Sequence, residues 1–238
     1  MSNSAFAFKQ FVVKQDKCAM KVSTDAVLLG SWANAQHAKH ILDIGTGTGV
    51  IAMMLAQKTN ASIDAIDIDE GAYLQAKENV VNSKWNERIK VYHASFQEFA
   101  QKETKKYDLI VSNPPYFIGS SKAGYFERTL ARHADVLPYS DLLDGAVKLL
   151  DKKGIFKVIL PCKEGEIFRD MAESKRLLLT KLTRVRTKQE KTTEKRLLMQ
   201  FAFERTSFSE NTLVIGHNQD SGYTLEYKQL TKDYYLAF

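Results

Sequence analysis

The sequence is short of the residues that would point to an oxidising compartment, a metal centre or a membrane. Its 238 residues include only two cysteines, Cys18 and Cys162, which are far apart and in no metal-ligand spacing. Idle thiols are typical of proteins from a reducing cytoplasm. No long apolar run and no secretory-type leader is visible, so nothing favours a membrane span or export. We therefore expect a cytoplasmic protein that uses no metal ion.

Internal repeats, low-complexity tracts and a recognisable linker are missing as well. We therefore expect one domain over residues 1–238, with a short extension over residues 1–38 and the main body over residues 39–238. What the chain has in excess is positive charge, with 34 lysines and arginines against 28 acidic residues and a net charge of +6. Such an excess is suggestive of a polyanionic partner, although many basic proteins bind no nucleic acid.

From residue 39 onward, apolar strand-like and helix-like segments alternate. "HILDIG" and "SIDAIDI" have strand patterns, and each is followed by a helical pattern, "GVIAMMLAQK" and "EGAYLQAKENVVNS". Alternation of this kind predicts an α/β fold with a mostly parallel sheet and helices on both faces. The nearly continuous apolar strand "YDLIV" fits a sheet that is covered on both sides.

A glycine-rich loop lies between the first of these strands and its helix. "LDIGTGTGV" places Gly45, Gly47 and Gly49 where positive φ and close approach of a ligand are needed. Asp67 follows Gly47 by twenty positions, at the end of the next strand, where a carboxylate can accept from ribose hydroxyls. A dinucleotide site is a competing interpretation, but G-x-G-x-G departs from its G-x-G-x-x-G pattern. A plain tight turn is the other alternative, which Asp43 and Asp67 at the strand ends make less favoured.

A second loop, "VSNPPYFIG", follows a later strand at the same expected edge of the sheet. The Asn113 amide oxygen and the Pro114 carbonyl can both accept hydrogens from a planar amine, and Tyr116 can stack on a flat ring. Two such acceptors would free the delocalised lone pair of the amine in the transition state. A rigid proline corner that only ends a strand is the alternative.

These motifs together carry a family resemblance. "LDIGTGTG", "AIDID" and "SNPPY", in this order and spacing, resemble the S-adenosylmethionine-dependent amino-methyltransferases of the class I fold. "QDKCAMKVSTDAVLLGSW", with "ARH" at 131–133 and the short length, resembles the bacterial tRNA1(Val) adenine-37 N6-methyltransferases. The resemblance implies a Rossmann-like fold with a mostly parallel seven-stranded sheet, and direct methyl transfer to the exocyclic amine of adenine 37 in the anticodon loop of tRNA1(Val). The implied methyl transfer needs no metal ion and no covalent intermediate.

The resemblance also implies roles for the residues of the two loops. The three glycines would wrap the methionine part of S-adenosylmethionine, and Asp43 would help to hold its amino group. Asp67 would bind the ribose, and Ile68 would pack on the cofactor adenine. The corner of Asn113, Pro114 and Tyr116 would present the target amine, and Asn113 would also contact the cofactor.

Two further segments complete the implied cofactor site. Ser95 and Phe96, after the third strand, would contact the adenine, although many relatives carry Asp where this chain has Ser95. Lys21, Thr24 and Asp25 match the N-terminal segment that covers the cofactor in this family, which makes residues 1–38 a cofactor-covering extension.

The tRNA backbone requires cations, and the segment 175–196 is rich in them. Its charges are interpreted either as a stripe that follows phosphates or as an ordinary solvated surface. The long loop 117–138 adds arginines that are candidates for gripping RNA, while a catalytic role for His133 is not expected because this chemistry needs no base. The candidate RNA-binding residues are Arg128, Arg132, Arg184, Arg186, Lys188, Lys191, Lys195 and Arg196.

Other members of the methyltransferase class share an Asn-Pro-Pro-Tyr corner. A protein glutamine N5-methyltransferase would carry a substantial helical domain before the glycine loop, and only about forty residues precede it here. A ribosomal RNA guanine N2-methyltransferase is harder to distinguish, and a DNA adenine methyltransferase would need a target-recognition segment that is not visible. An RNA-binding module without turnover is the non-enzyme alternative, against which the intact Asn113 and Tyr116 argue.

Overall fold

The structure is a computed structural model that describes residues 4–115, 137–217 and 222–238. Its strands are β1 (Ala5–Ala7), β2 (Val12–Lys14), β3 (His40–Ile44), β4 (Ser62–Asp67), β5 (Ile89–His93), β6 (Tyr107–Ser112), β7 (Leu150–Pro161), β8 (Leu178–Lys188), β9 (Arg196–Ala202) and β10 (Ser209–Gly216). Its helices are α1 (Thr24–Trp32), α2 (Val50–Lys58), α3 (Glu70–Val81), α4 (Phe96–Lys102), α5 (Tyr139–Leu149), α6 (Cys162–Ser174) and α7 (Leu225–Thr231).

The main sheet has eight strands in the order β10-β8-β9-β7-β6-β3-β4-β5. Every neighbouring pair is parallel except the two pairs that involve β9. The predicted α/β class and mostly parallel sheet are confirmed. The eighth strand, β10, extends the predicted seven along the free side of β8. The first half of β10 is polar and exposed, so its strand character depends on pairing with β8 rather than on an apolar pattern.

Two apolar layers cover the sheet because successive strand residues point to opposite faces. In β3, Ile41 belongs to the layer formed with α1 and α2, whereas Leu42 belongs to the layer formed with α4 and α5. This two-sided burial explains the continuous apolar strands. None of the helices in the described ranges is both long and apolar enough to cross a bilayer. The boundary at residue 38 stays a prediction.

The order of the strands reverses between β3 and β6. The chain leaves β3 toward β4 and β5 on one side and then returns to add β6 on the other side. In open parallel sheets, ligands bind outside the carboxyl ends of the strands at such a reversal. The two strand ends are also tied directly, because the buried Ser112 hydroxyl donates to the Ile44 carbonyl at 3.0 Å. The fold thereby sets the glycine loop beside the Asn-Pro-Pro corner.

Candidate active site

A cavity of about 500 Å³ opens at this reversal. Its size falls in the usual range for sites that bind cofactors and other small molecules. Its wall is built by the N-terminal segment, the glycine loop, the ends of β4 and β5, and the corner after β6. Among the predicted site residues, those that line it are Lys21, Gly45, Gly47, Asp67, Ile68, Ser95, Phe96, Asn113 and Pro114.

The glycine loop adopts backbone conformations that other residues rarely adopt. Gly47 has φ +57° and Gly49 has φ +81°, both in the left-handed region. Gly49 is also packed tightly, since a Cβ atom there would lie 3.3 Å from the Cβ of Ala76 on α3. The conformation turns the chain directly into α2, whose first residues, Val50 and Ile51, line the cavity at the end of β3. Gly49 itself is not part of the cavity wall.

Asp67 is joined to the glycine loop by a hydrogen bond from Gly47 N to its Oδ2 atom at 2.8 Å. Its Oδ1 atom accepts from Asp69 N at 3.0 Å. Burial raises the pKa of this carboxyl above its ordinary value, and the bond from Gly47 N opposes that rise. Since each carboxylate oxygen can accept a second hydrogen bond, Asp67 retains capacity for two ribose hydroxyls.

Asp43 lies behind the cavity wall rather than in it. The residue is fully buried, and its Oδ2 atom accepts from the Thr46 hydroxyl at 2.6 Å. Thr46 itself lines the cavity. Burial raises the pKa of Asp43 to about 7, and the hydrogen bond from Thr46 opposes the rise. The structure thus makes Asp43 a support of the loop, acting through Thr46, and does not place it on the wall where the predicted contact would form.

The corner after β6 carries the clearest chemical signal. The Oδ1 atom of Asn113 is buried, and within the described residues it has no hydrogen-bond partner. A buried acceptor without a partner is unusual in a folded protein and requires an explanation. Asn113 and Pro114 both line the cavity, so the side chain that carries this oxygen lies at its wall. Tyr116 lies outside the described residues.

The end of the cavity beside β4 and β5 is where the adenine contacts were predicted. Ile68 and Phe96 line it, and Ser95 caps α4 with its hydroxyl, which accepts from Glu98 N at 3.2 Å. The sequence reasoning missed Gln97, which also lines the cavity and donates from Nε2 to Asp141 Oδ2 at 3.0 Å. The only sequence signal for Gln97 was its amide side chain next to the predicted contact residues Ser95 and Phe96.

Part of the N-terminal segment forms one side of the cavity, and its predicted role of covering the cofactor stays a prediction. Lys21 lines the cavity, but Thr24 and Asp25 do not. Asp25 instead accepts from Arg196 Nε at 2.6 Å, so a predicted cofactor contact and a predicted RNA contact bind each other. Ser23, which caps α1, also lines the cavity and was not among the predicted contacts.

The candidate RNA-binding residues in the described part of the chain differ in their surroundings. Arg184 is paired with Glu194 at 2.8 Å and with Glu210, and Arg196 with Asp25, so both contribute to the fold. Lys188, Lys191 and Lys195 are exposed. Arg186 is half-buried, and Arg128 and Arg132 lie outside the described residues. The same described ranges contain no cluster of histidine, cysteine and acidic side chains suited to a metal ion.

Comparisons with known proteins agree with this geometry. A family model for the methyltransferase small domain matches residues 18–160. A tRNA1(Val) (adenine(37)-N6)-methyltransferase from Trichodesmium erythraeum is 44% identical over 241 residues, with 100% of both chains covered. A protein of the same name from Christiangramia forsetii is 46% identical, with 99% of both chains covered. A crystal structure described as a predicted O-methyltransferase from Agrobacterium tumefaciens has a TM-score of 0.70 at 16% identity, covers 88% of this chain and 96% of its own, and shows the shared fold.

The sheet order, the cavity and the matched family model define a methyltransferase of class I, a fold and family that imply S-adenosylmethionine as the methyl donor. The particular group follows from the full-length relatives, and the chain belongs to the tRNA1(Val) (adenine(37)-N6)-methyltransferase family. The family predicted from the loop motifs and the N-terminal segment is confirmed.

Proposed function

We propose that the protein transfers a methyl group from S-adenosylmethionine to N6 of adenine in tRNA, with adenine 37 of tRNA1(Val) as the target. The observation that carries the proposal is Asn113, which lines the same cavity as the glycine loop and Asp67 and whose buried Oδ1 atom has no hydrogen-bond partner among the residues that the structure describes. The names of the full-length relatives specify this reaction, and this supports the same proposal.

The residues present fit the cofactor. Gly45, Gly47 and the start of α2 line the part of the cavity where the methionine end would lie, and Asp67 has lone pairs left for the ribose. Ile68 and Phe96 give the adenine two apolar surfaces. When bound, S-adenosylmethionine supplies an electrophilic methyl group on a sulfonium. Asp67 also adds a negative charge to the wall, which favours a ligand with positive charges.

The chain's contribution to the transfer is positioning and hydrogen-bond acceptance. An aromatic amine is a poor nucleophile because its lone pair is delocalised into the ring. Asn113 Oδ1 and the Pro114 carbonyl would accept its two hydrogens, which favours a tetrahedral nitrogen with a localised lone pair. Because Ser112 ties β6 to β3, this corner is held in line with the glycine loop, where alignment lowers the barrier further. The extra proton leaves to water.

The tRNA would lie across the tips of the strands next to the corner. β8 ends at Lys188 and β9 begins at Arg196, so the connection that carries Lys191 and Lys195 lies at the same edge of the sheet as Asn113. Three strand spacings of about 4.8 Å, or about 14 Å, separate β6 from β8. A single-stranded anticodon loop spans such a distance, and its target base needs no extraction from a duplex.

The test is methyl transfer from radiolabelled S-adenosylmethionine to total tRNA, ribosomal RNA and protein, followed by analysis of the labelled nucleosides. We expect label in N6-methyladenosine of tRNA, and loss of it when the tRNA1(Val) substrate carries guanine at position 37. Label in N2-methylguanosine of ribosomal RNA or in a protein glutamine would replace the proposal with one of its rivals. If the protein binds the cofactor but no tRNA, ribosomal RNA or protein becomes labelled, an RNA-binding module without turnover would be favoured.

A further inference from the structure

Helix α3 holds the N-terminal segment through buried amide side chains that the predicted site did not include. Asn79 is 3% exposed, and its Oδ1 atom accepts from the backbone N–H of Lys14 at 2.9 Å. Its Nδ2 atom donates to the Lys14 carbonyl at 2.8 Å and to the Thr48 carbonyl at 2.9 Å. Facing two carbonyls with the amide nitrogen fixes the orientation of the group. One side chain therefore joins the N-terminal segment to the glycine loop.

Gln75 makes a second contact of the same kind one helical turn earlier. It is fully buried, and its Oε1 atom accepts from Lys17 N at 2.8 Å. One further turn back, a Cβ at Gly71 would lie 2.5 Å from the Lys17 carbonyl, so only glycine admits the segment this closely. Residues 71, 75 and 79 share one face of α3, since they are four positions apart. This face serves as a seat for the backbone of the segment.

The seated segment is what closes the cavity on that side. Cys18, Ala19, Met20 and Lys21 all line it, and they follow directly after the two backbone positions that α3 holds. The Gln15 side chain accepts from Val22 N at 2.9 Å, which folds the segment back on itself. The position of this wall therefore depends on a few backbone hydrogen bonds to buried amides.

The ion pairs on the outside of the same helix contribute much less. Lys14 and Lys17 both contact Glu78 at 2.7 Å, but the lysine side chains are 53% and 49% exposed. Solvated pairs of this kind are screened and add little. Removing the Asn79 amide would instead take partners from the buried Thr48 carbonyl and from the partly buried Lys14 carbonyl and N–H group, which is costly.

We infer that Asn79, assisted by Gln75, is a positioning residue that sets the affinity for the cofactor by holding residues 14–22 closed against the glycine loop. The inference rests on the proposed function for the identity of the ligand, but not for the closure itself. Asn79 is buried and does not line the cavity, so it would act on the ligand through the segment that it holds. Its effect should appear in cofactor binding and in the opening of the segment, with little change in the transfer step.

The test compares Asn79→Ala with Asn82→Ala by titration calorimetry with S-adenosylhomocysteine. Asn82 is an exposed residue of the same helix end, and its amide donates only to Glu78 O within its own turn, at 2.8 Å. We expect at least tenfold weaker binding for Asn79→Ala and less than a twofold change for Asn82→Ala. At saturating cofactor, kcat should stay within about threefold of the wild type while KM for S-adenosylmethionine rises. Should Asn79→Ala not fold, Gln75→Ala removes one bond of the same seat and is measured instead, with at least threefold weaker binding expected.

A second measurement reports the opening of the segment without any ligand. The Cys18 thiol is buried and donates to Met20 O at 3.1 Å, so lifting of the segment should speed its reaction with an alkylating reagent. In a Cys162→Ser background, alkylation of Cys18 should be at least tenfold faster in Asn79→Ala than in Asn82→Ala. A lower melting temperature with unchanged affinity and unchanged alkylation would show a merely structural role and overturn the inference. A wild type that binds no S-adenosylhomocysteine would instead contradict the proposed function. The alkylation rates would still show whether Asn79 holds the N-terminal segment in place.

Discussion

The two halves of the sheet bury opposite charges. In the half that carries β3 and β4, Asp43 is fully buried and its pKa is raised to about 7. In the half that carries β7 and β8, Lys157 is 3% exposed and its pKa is lowered to about 7. Burial is the main cause in both, because desolvation always disfavours the charged form. The lesson is that one physical effect moves an acid and a base to the same pKa from opposite sides.

The surroundings of the two groups differ in what they offer in compensation. Asp43 has the Thr46 hydroxyl as a hydrogen-bond donor at 2.6 Å. Among the described residues, Lys157 contacts the face of Trp32, whose ring centre lies 4.7 Å from its Nζ atom, and Lys181 lies 5.3 Å from the same ring. The nearby Lys181 and Lys58 lower its pKa further. The carboxylate half suits a ligand with positive charges, whereas the lysine half ends in the exposed cations proposed to meet phosphates.

The largest effect should come from the border between the halves, at the tip of β6. Asn113→Ala should lower kcat by about 10²–10³, as expected when one acceptor made for the transition state is removed. Calorimetric affinity for S-adenosylhomocysteine should stay within about threefold. Retention of full turnover by this variant would show that the corner does not activate the amine.

Asp67→Ala tests the carboxylate half. Losing the ribose contact should weaken S-adenosylhomocysteine binding by about 10–100-fold, or about 1.4–2.8 kcal/mol. Binding of tRNA to the opposite half should not change, which gives an internal control by gel shift. An unaltered calorimetric affinity would remove Asp67 from the cofactor site.

Lys157→Met tests the cost of burial in the lysine half. The pKa of about 7 in the folded protein lies below the ordinary lysine pKa of 10.5, so the penalty is absent above about pH 10.5, grows as the pH falls, and is complete below about pH 7. The variant should therefore be more stable than the wild type by about 1–3 kcal/mol at pH 7, and the gain should shrink by pH 9.5. Denaturant unfolding at both pH values measures this.

The matched control is Lys153→Met, which changes an exposed lysine of the same strand. It should alter the free energy of unfolding by less than about 0.5 kcal/mol at either pH. A Lys157→Met variant that is destabilised at pH 7 would mean that the lysine is well satisfied where it lies, and the comparison between the halves would fail.

The smallest effect should follow from the surface of the lysine half. Replacing Lys188, Lys191 and Lys195 by glutamine should weaken tRNA binding about tenfold at moderate salt and reduce the slope of log K against log salt by about 2. The control replaces Lys152 and Lys153, exposed near the start of β7 and so at the opposite edge of the sheet. Equal slopes for both variants would identify the 188–195 cations as ordinary solvated surface.

Much of the fold could be predicted from the sequence because its signals are local. The alternation of apolar segments predicted the class of the sheet. The glycine loop was predicted because positive φ, which Gly47 and Gly49 adopt, favours glycine. The exposed edge strand β10 could not be counted reliably, since its first half lacks an apolar pattern. Gln97 gave too weak a signal because a lone glutamine has no preferred chemistry.

What the sequence by itself determined was the alternation of strands and helices, the glycine loop and the Asn-Pro-Pro corner. Each of these depends on backbone limits and side-chain period within a few residues. Only the tertiary structure decided that Asp25 pairs with Arg196, that Asp43 stands behind Thr46, and that Asn79 holds Lys14. A hydrogen-bond partner far along the chain is selected by how distant segments pack, because burial leaves each polar group only the partners that packing brings within reach.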